Sequence, residues 1–265
     1  MKSHPWFLVF ILIFMLAAPL GAESKNFSSK KNNPVPSLQA PLGNLTVGER
    51  LVFDVSWMGI PVGVGTLVVK EKTNLRGREA YHVIATAKTN DFLSKIYPIY
   101  DEVHSWIDAE KFRSLEFKKE LKEGRYRAEE RMIYDYQAKK IFYESLLNKS
   151  KKEFELAADV QDFLSAFYWF RTQAVEAGKS LYTVVNSEEQ NWDLELKVLR
   201  VEVKELKGRR VIPALVVEPK TRLKGMLYDR GKAWVYFSAD QKRLPIWVTL
   251  KTPFGPVVGV LRLSD

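Results

Sequence analysis

Two histidines, His82 and His104, are the only imidazoles beyond the N-terminal apolar run, and the chain has no cysteine. Thiol nucleophiles, cysteine zinc sites and disulfides are therefore excluded. Both histidines read as strand residues of the parity opposite to their apolar neighbours, the position of a solvated side chain on a sheet face. Neither has a partner at metal-ligand spacing. A serine triad would need one of them, and no Gly-x-Ser-x-Gly elbow is present. Gly63-Val64-Gly65 is only a fragment of a nucleotide-binding loop. No metal or cofactor is called for by these patterns.

Carboxylates remain. Hydrolysis of a glycosidic bond needs two of them about 5 to 10 Å apart, and spacing along the chain does not reveal such a pair. One acid stands out, because Asp101 and Ser105 share the parity of Ile99, Val103 and Ile107. A core-facing carboxylate must be paired, hydrogen bonded or protonated. Arg171, beside an apolar helical stripe, is the expected partner, in an ion pair tying sheet to helix. Aromatic residues are the other signal. Trp57, Trp106, Trp234 and Trp247 fall on strands. Trp169 falls on the polar side of the helix. The loop Trp57-Met58-Gly59-Ile60-Pro61 is apolar where a turn is usually polar, so it suits a pocket mouth or a contact with membrane or partner.

The elements that must position these residues are mostly strands. Leu51, Phe53, Val55 and Trp57 alternate with polar residues, the pattern of a half-buried strand. Gly59 to Gly65 interrupt it, and strands then recur every ten to twelve residues to Leu146. Glu123-Gly124 and Lys207-Gly208 read as hairpin turns. Asp159 to Ala177 changes to helical period, with Phe163, Phe167, Phe170 and Ala174 on one stripe, Asp159 as N-cap and Gly178 as stop. Strands resume at Leu181. Between Val198 and Leu199 the apolar parity flips, which predicts a bulge. The expected fold is mainly β: a strongly curved antiparallel sheet or open barrel of about twelve strands clasping one main helix near residues 160–177.

Lys2, the apolar run Phe7 to Leu20 and the small residues Gly21-Ala22 have the form of a signal peptide, with cleavage near Ala22. Residues 23–44, rich in Ser, Lys, Asn and Pro, read as a flexible tether. Residues 45–265 then make one β-rich domain. The expected address is a bacterial periplasm, with no transmembrane segment after cleavage. The net charge is +9. In an exported protein a basic surface points to anionic lipid head groups, acidic polysaccharide or an acidic protein, not to nucleic acid.

Several blocks resemble one family. Gly48-Glu49-Arg50-Leu51 runs into Asp54-Val55-Ser56-Trp57 and Gly59-Ile60-Pro61-Val62-Gly63. Tyr97-Pro98-Ile99-Tyr100-Asp101, Gln161 to Arg171, Ser238-Ala239-Asp240 and Arg243-Leu244-Pro245 follow in order. Together they resemble the exported bacterial family known as domain of unknown function 3108. Asp101, Asp162, Ser165, Arg171 and Asp240 match its blocks. The resemblance implies a periplasmic antiparallel β protein, and it implies no catalytic residue. Physically, Asp162 suits the first turn of the helix and Asp240 suits the start of a turn.

These observations favour a non-enzymatic envelope binding protein. Its expected ligand is an amphiphile, a lipid or lipid-linked glycan, held between sheet and helix by Trp57, Met58, Ile60, Phe167 and Trp169. An assembly factor in envelope or polysaccharide export, with an envelope protein as partner, is the first alternative. It would show an exposed apolar patch. A glycan hydrolase is the second, and it would show two carboxylates in an open cleft.

Overall fold

The computed structural model describes residues 43–156, 159–187, 190–206, 210–223, 226–228 and 232–263. The signal-peptide segment and nearly all of the tether lie outside these residues. Leu45 is buried in the core, and the Tyr81 hydroxyl donates to Asn44 Oδ1 at 3.3 Å.

The alternation that begins at Arg50 forms β1 (Arg50–Trp57), with Leu51, Phe53 and Val55 buried. It is followed by β2 (Ile60–Leu75), β3 (Arg78–Thr89), β4 (Tyr100–Asp108), β5 (Ser114–Glu123) and β6 (Tyr126–Asp135). The first half ends with β7 (Lys140–Ser145) and β8 (Lys151–Glu155). A two-residue strand, β9 (Val160–Gln161), leads directly into helix α1 (Phe163–Thr172). The second half contains β10 (Ser180–Ser187), β11 (Gln190–Glu205), β12 (Val211–Leu223) and β13 (Met226–Tyr228), then β14 (Lys232–Ser238), β15 (Pro245–Thr252) and β16 (Gly255–Leu261).

Fifteen strands form one continuous ladder in the order β8-β7-β6-β5-β4-β3-β2-β1-β16-β15-β14-β12-β11-β10-β9, and β13 pairs beside β12. Every pairing is antiparallel except β9 with β10. Sequence patterning missed β8, β9 and β13, which are short and carry no apolar alternation. It also began β2 too late, after an interruption from Gly59 to Gly65. Gly63 and Gly65 lie inside that strand, opposite Val55 and Phe53, next to a register shift at Val55/Ser56. The parity flip at Leu199 is a bulge, with the register shifting between Val198 and Arg200.

The sheet is open but strongly curved. Residues from distant strands, such as Val83, Ile141, Ala214 and Ile246, belong to one buried cluster with Leu164 and Tyr168 of the helix. A second cluster joins Ala166 and Phe170 to Trp192, Leu215 and Phe237. The sheet thus closes around α1, as its wide apolar stripe requires.

The helix is shorter than its periodic stripe. Asp162, not Asp159, is the N-cap. Its Oδ1 accepts from the Leu164 and Ser165 N–H groups, each at 2.8 Å, while Ser165 Oγ accepts from Asp162 N at 2.9 Å. That is a reciprocal capping box. Asp159 instead accepts from Arg113 Nη1 at 2.8 Å. The chain turns extended at Gln173. The Gln173 carbonyl is taken by the Arg243 guanidinium, and Val175 leaves the helix to join the second cluster.

Candidate functional site

Strand direction decides which turns share an end of the sheet. Because neighbours run antiparallel, the β1–β2, β3–β4, β5–β6, β7–β8 and β15–β16 connections all lie at one end. They carry Met58, Ile60, Phe92, Ile96 and Phe254, each between 51% and 75% exposed, and Leu147 and Tyr126 besides. Scattered exposed apolar residues mean little, whereas a contiguous patch marks a contact surface.

Hydrogen bonds tie these turns into one rim. Trp57 Nε1 donates to the Phe254 carbonyl at 2.9 Å, and Met58 N donates to the Pro256 carbonyl at 2.8 Å. Asn90 binds the adjoining strand twice, from Nδ2 to Pro61 O at 2.8 Å and from its N–H to Val62 O at 2.9 Å. Its Oδ1 accepts from Leu93 N at 2.8 Å, which shapes the turn holding Phe92 and Ile96. Gly124 N donates to Pro98 O at 2.8 Å.

The β1–β2 turn has positive φ at both central residues, 51° at Met58 and 83° at Gly59. This is the tight hairpin geometry that Asn-Gly fills most easily. A methionine there costs about 1–2 kcal/mol. Its side chain lies on Gly255, where an added Cβ would come within 2.5 Å of Met58 Cγ. The rim is also basic. Segments 88–97, 122–127, 146–151 and 251–256 carry eight Lys or Arg, against the acids Asp91 and Glu123.

Glu123 is buried and does not offset that charge at the surface. It faces Asp101, and the expected Asp101–Arg171 pair does not form. Arg171 makes a bidentate pair with Glu49, at 2.6 and 2.7 Å, and also donates to Lys242 O. Asp101 Oδ1 accepts from Lys122 N at 3.0 Å, and its carboxyl and that of Glu123 perturb each other. Burial raises both, Asp101 to about 6 and Glu123 to about 8, with the Asp101 charge adding to the rise at Glu123. Beyond the Lys122 N–H, no donor among the described residues reaches the buried Asp101 Oδ2 or either Glu123 carboxyl oxygen. Tyr97 covers the turn beside it, its ring 2.7 Å from where a Cβ on Gly124 would stand. Two facing carboxyls exist, then, but they are closed in instead of lining an open cleft.

The other sequence-singled residues divide. Trp57, Met58 and Ile60 are on the rim. Phe167 and Trp169 are partly buried and pack against both core clusters. Phe167 lies 5.2 Å from the Phe237 ring centre. Trp169 is therefore only partly open to solvent, and the concave side is filled by the helix's own side chains. Asp162 and Ser165 are fully buried structural groups. Asp162 Oδ2 accepts from Ser105 Oγ at 2.7 Å and Ser114 Oγ at 2.5 Å, and burial still pushes its pKa up. Asp240 Oδ1 accepts from Lys242 N and Arg243 N, holding the expected turn. Glu49 was missed although it stands in the first family block. Glu123 read only as half of a turn dipeptide. The histidines are not solvated as expected: His82 is 6% exposed and stacked on Trp106. Cross-strand register brings the two together, and composition carries no sign of that. Among the described residues no group of three or more candidate ligands converges on one point. No helix among them is long and apolar enough to cross a membrane.

The architecture is thus that of a beta-barrel-like protein, an open curled sheet gripping one helix. A crystallised protein of domain of unknown function DUF1849 from Brucella abortus, described as beta-barrel-like, shares it. The two match with a TM-score of 0.53 and 10% identity, over 80% of this chain and 94% of that one. At that identity the likeness concerns the fold. The chain belongs to the family of proteins of unknown function DUF3108, whose model matches residues 52–262. A search of curated proteins finds no match.

Proposed function

We propose that the protein is exported to the periplasm and serves there as a binding protein, not an enzyme, docking its rim of turns on an anionic lipid surface. The observation that carries this reading is the lacing of Met58, Ile60, Phe92, Ile96 and Phe254 side by side in a ring of lysines and arginines. Apolar side chains that enter a head-group layer gain about 25 cal/mol per Å² removed from water. Each Lys or Arg near an anionic surface adds about 1 kcal/mol. The amphiphile is met at the rim, because Leu164, Tyr168 and Phe170 occupy the concave side. The signal-like N-terminus supports export, and the basic balance suits an anionic lipid face.

Flotation with vesicles tests the reading. The exported chain should float with phosphatidylglycerol-containing vesicles, bind pure phosphatidylcholine at least tenfold less, and release as salt rises. The pair Met58→Ser with Ile60→Ser, or Phe92→Ser with Ile96→Ser, should weaken binding about tenfold without changing the circular dichroism spectrum. Equal binding by wild type and variants would refute the rim as the contact. No binding to anionic vesicles would turn the search to an envelope protein partner.

A further inference from the structure

Away from the rim, on β2, β3 and β4, four side chains form a hydrogen-bonded row. The register pairs His82 with Trp106 and Ile84 with His104, so the two histidines are diagonal neighbours. His82 Nε2 and His104 Nδ1 lie 2.9 Å apart. The outer nitrogen of each ring meets a carboxylate: His82 Nδ1 is 3.3 Å from Glu71 Oε1, and His104 Nε2 is 2.8 Å from Glu102 Oε1. An ionised carboxylate only accepts, so with Glu71 and Glu102 as acceptors each outer nitrogen is the donor. Both inner nitrogens are then bare lone pairs at contact distance. That contact is repulsive unless a cation stands between them. A metal ion fills that role, and so does a proton shared by the two rings; the pair of outer carboxylates, one on each ring, is the arrangement found around histidine-bound metals.

We infer that His82 and His104 are the two protein ligands of a divalent transition-metal ion of the copper–nickel–zinc group. Glu71 and Glu102 are the outer carboxylates, fixing the tautomer and orientation of each ring as such groups do around histidine-bound metals. With metal–nitrogen bonds of about 2.0–2.1 Å, inner nitrogens 2.9 Å apart subtend about 90° at the metal. This angle suits adjacent positions of a tetragonal or octahedral centre, the preference of Cu(II) and Ni(II). Water completes the coordination, since among the described residues no third candidate ligand converges there. Sequence spacing could not show the site, because a diagonal pair exists only once the strands are in register.

Titration of the metal-stripped exported chain with CuCl2 tests this, read by tryptophan emission and isothermal calorimetry. Trp106 lies 4.4 Å from the His82 ring, so bound copper should quench it. Wild type should take up one equivalent more than the double variant His82→Gln with His104→Gln, which corrects for copper held elsewhere, including the N-terminal amine. His104→Gln alone should weaken that equivalent at least tenfold. Glu102→Gln, which keeps both ligands and disturbs packing least, should weaken it about tenfold. Circular dichroism checks that each variant folds. Equal uptake by wild type and the double variant, or no uptake by wild type at millimolar copper, would overturn the site and leave a shared proton between the rings.

Discussion

Single residues show where local cost is accepted. Asp101 and Glu123 bury two interacting acids, and the cost depends on pH. Glu123 is raised from 4.5 to about 8 by burial and by Asp101. The folded protein therefore keeps a proton between pH 4.5 and about 8 that the unfolded chain has released. Stability from this group is full below about pH 4.5 and is lost as pH rises through about 8. Glu123→Gln keeps a donor for Asp101 and removes the titration. The variant should match wild type near pH 4.5 and exceed it by about 2–4 kcal/mol at pH 9 in urea unfolding. A wild-type stability profile flat from pH 5 to 9 would sink this account. The sequence marked Asp101 as core-facing by parity alone, which holds. It named the wrong partner, because the partner of a buried charge is chosen by fold geometry. Arg171 was claimed by Glu49, which stood out only as part of a family block, and Asp101 by Glu123, which read as half of a turn.

At the scale of elements, α1 depends on its first turn. Asp162 satisfies two helix N–H groups and receives two seryl hydroxyls, all within the core. Asp162→Ala removes the cap and leaves Ser105 and Ser114 without their acceptor. Losing a cap costs about 1 kcal/mol, and each stranded buried group about 1–3 kcal/mol more. Chemical denaturation should report a loss of about 3–5 kcal/mol, whereas Asp159→Ala, at an exposed carboxylate, should cost under about 1 kcal/mol. Equal losses would restore Asp159 as the cap. The helix was legible because an apolar stripe at 3.6-residue spacing is unmistakable. Its end was not, since the stripe continues through Val175 in extended chain that packs on the same core. Strands with alternation were legible for the same reason, and β8, β9 and β13, which lack it, were not.

For the molecule as a whole, sequence rhythm gave the fold class and the curvature, the latter through the parity flip at Leu199. Strand order was beyond it, and the rim depends on strand order. Met58, Phe92 and Phe254 are far apart in the chain and meet only because alternate turns fall at one end. The order has another consequence. The ladder consists of two meanders, β1 to β8 and β9 to β16, and its seam is the pairing of the first strand with the last. A chain synthesised N-terminus first must hold β1 with one unpaired edge until β16 emerges. That edge is an invitation to pair with another chain. A chain truncated after Thr252 should therefore aggregate during refolding in proportion to its concentration, where the full chain stays monomeric by light scattering. Biogenesis of this fold is finished by its final strand, and any factor that shields β1 in the interval would govern its yield.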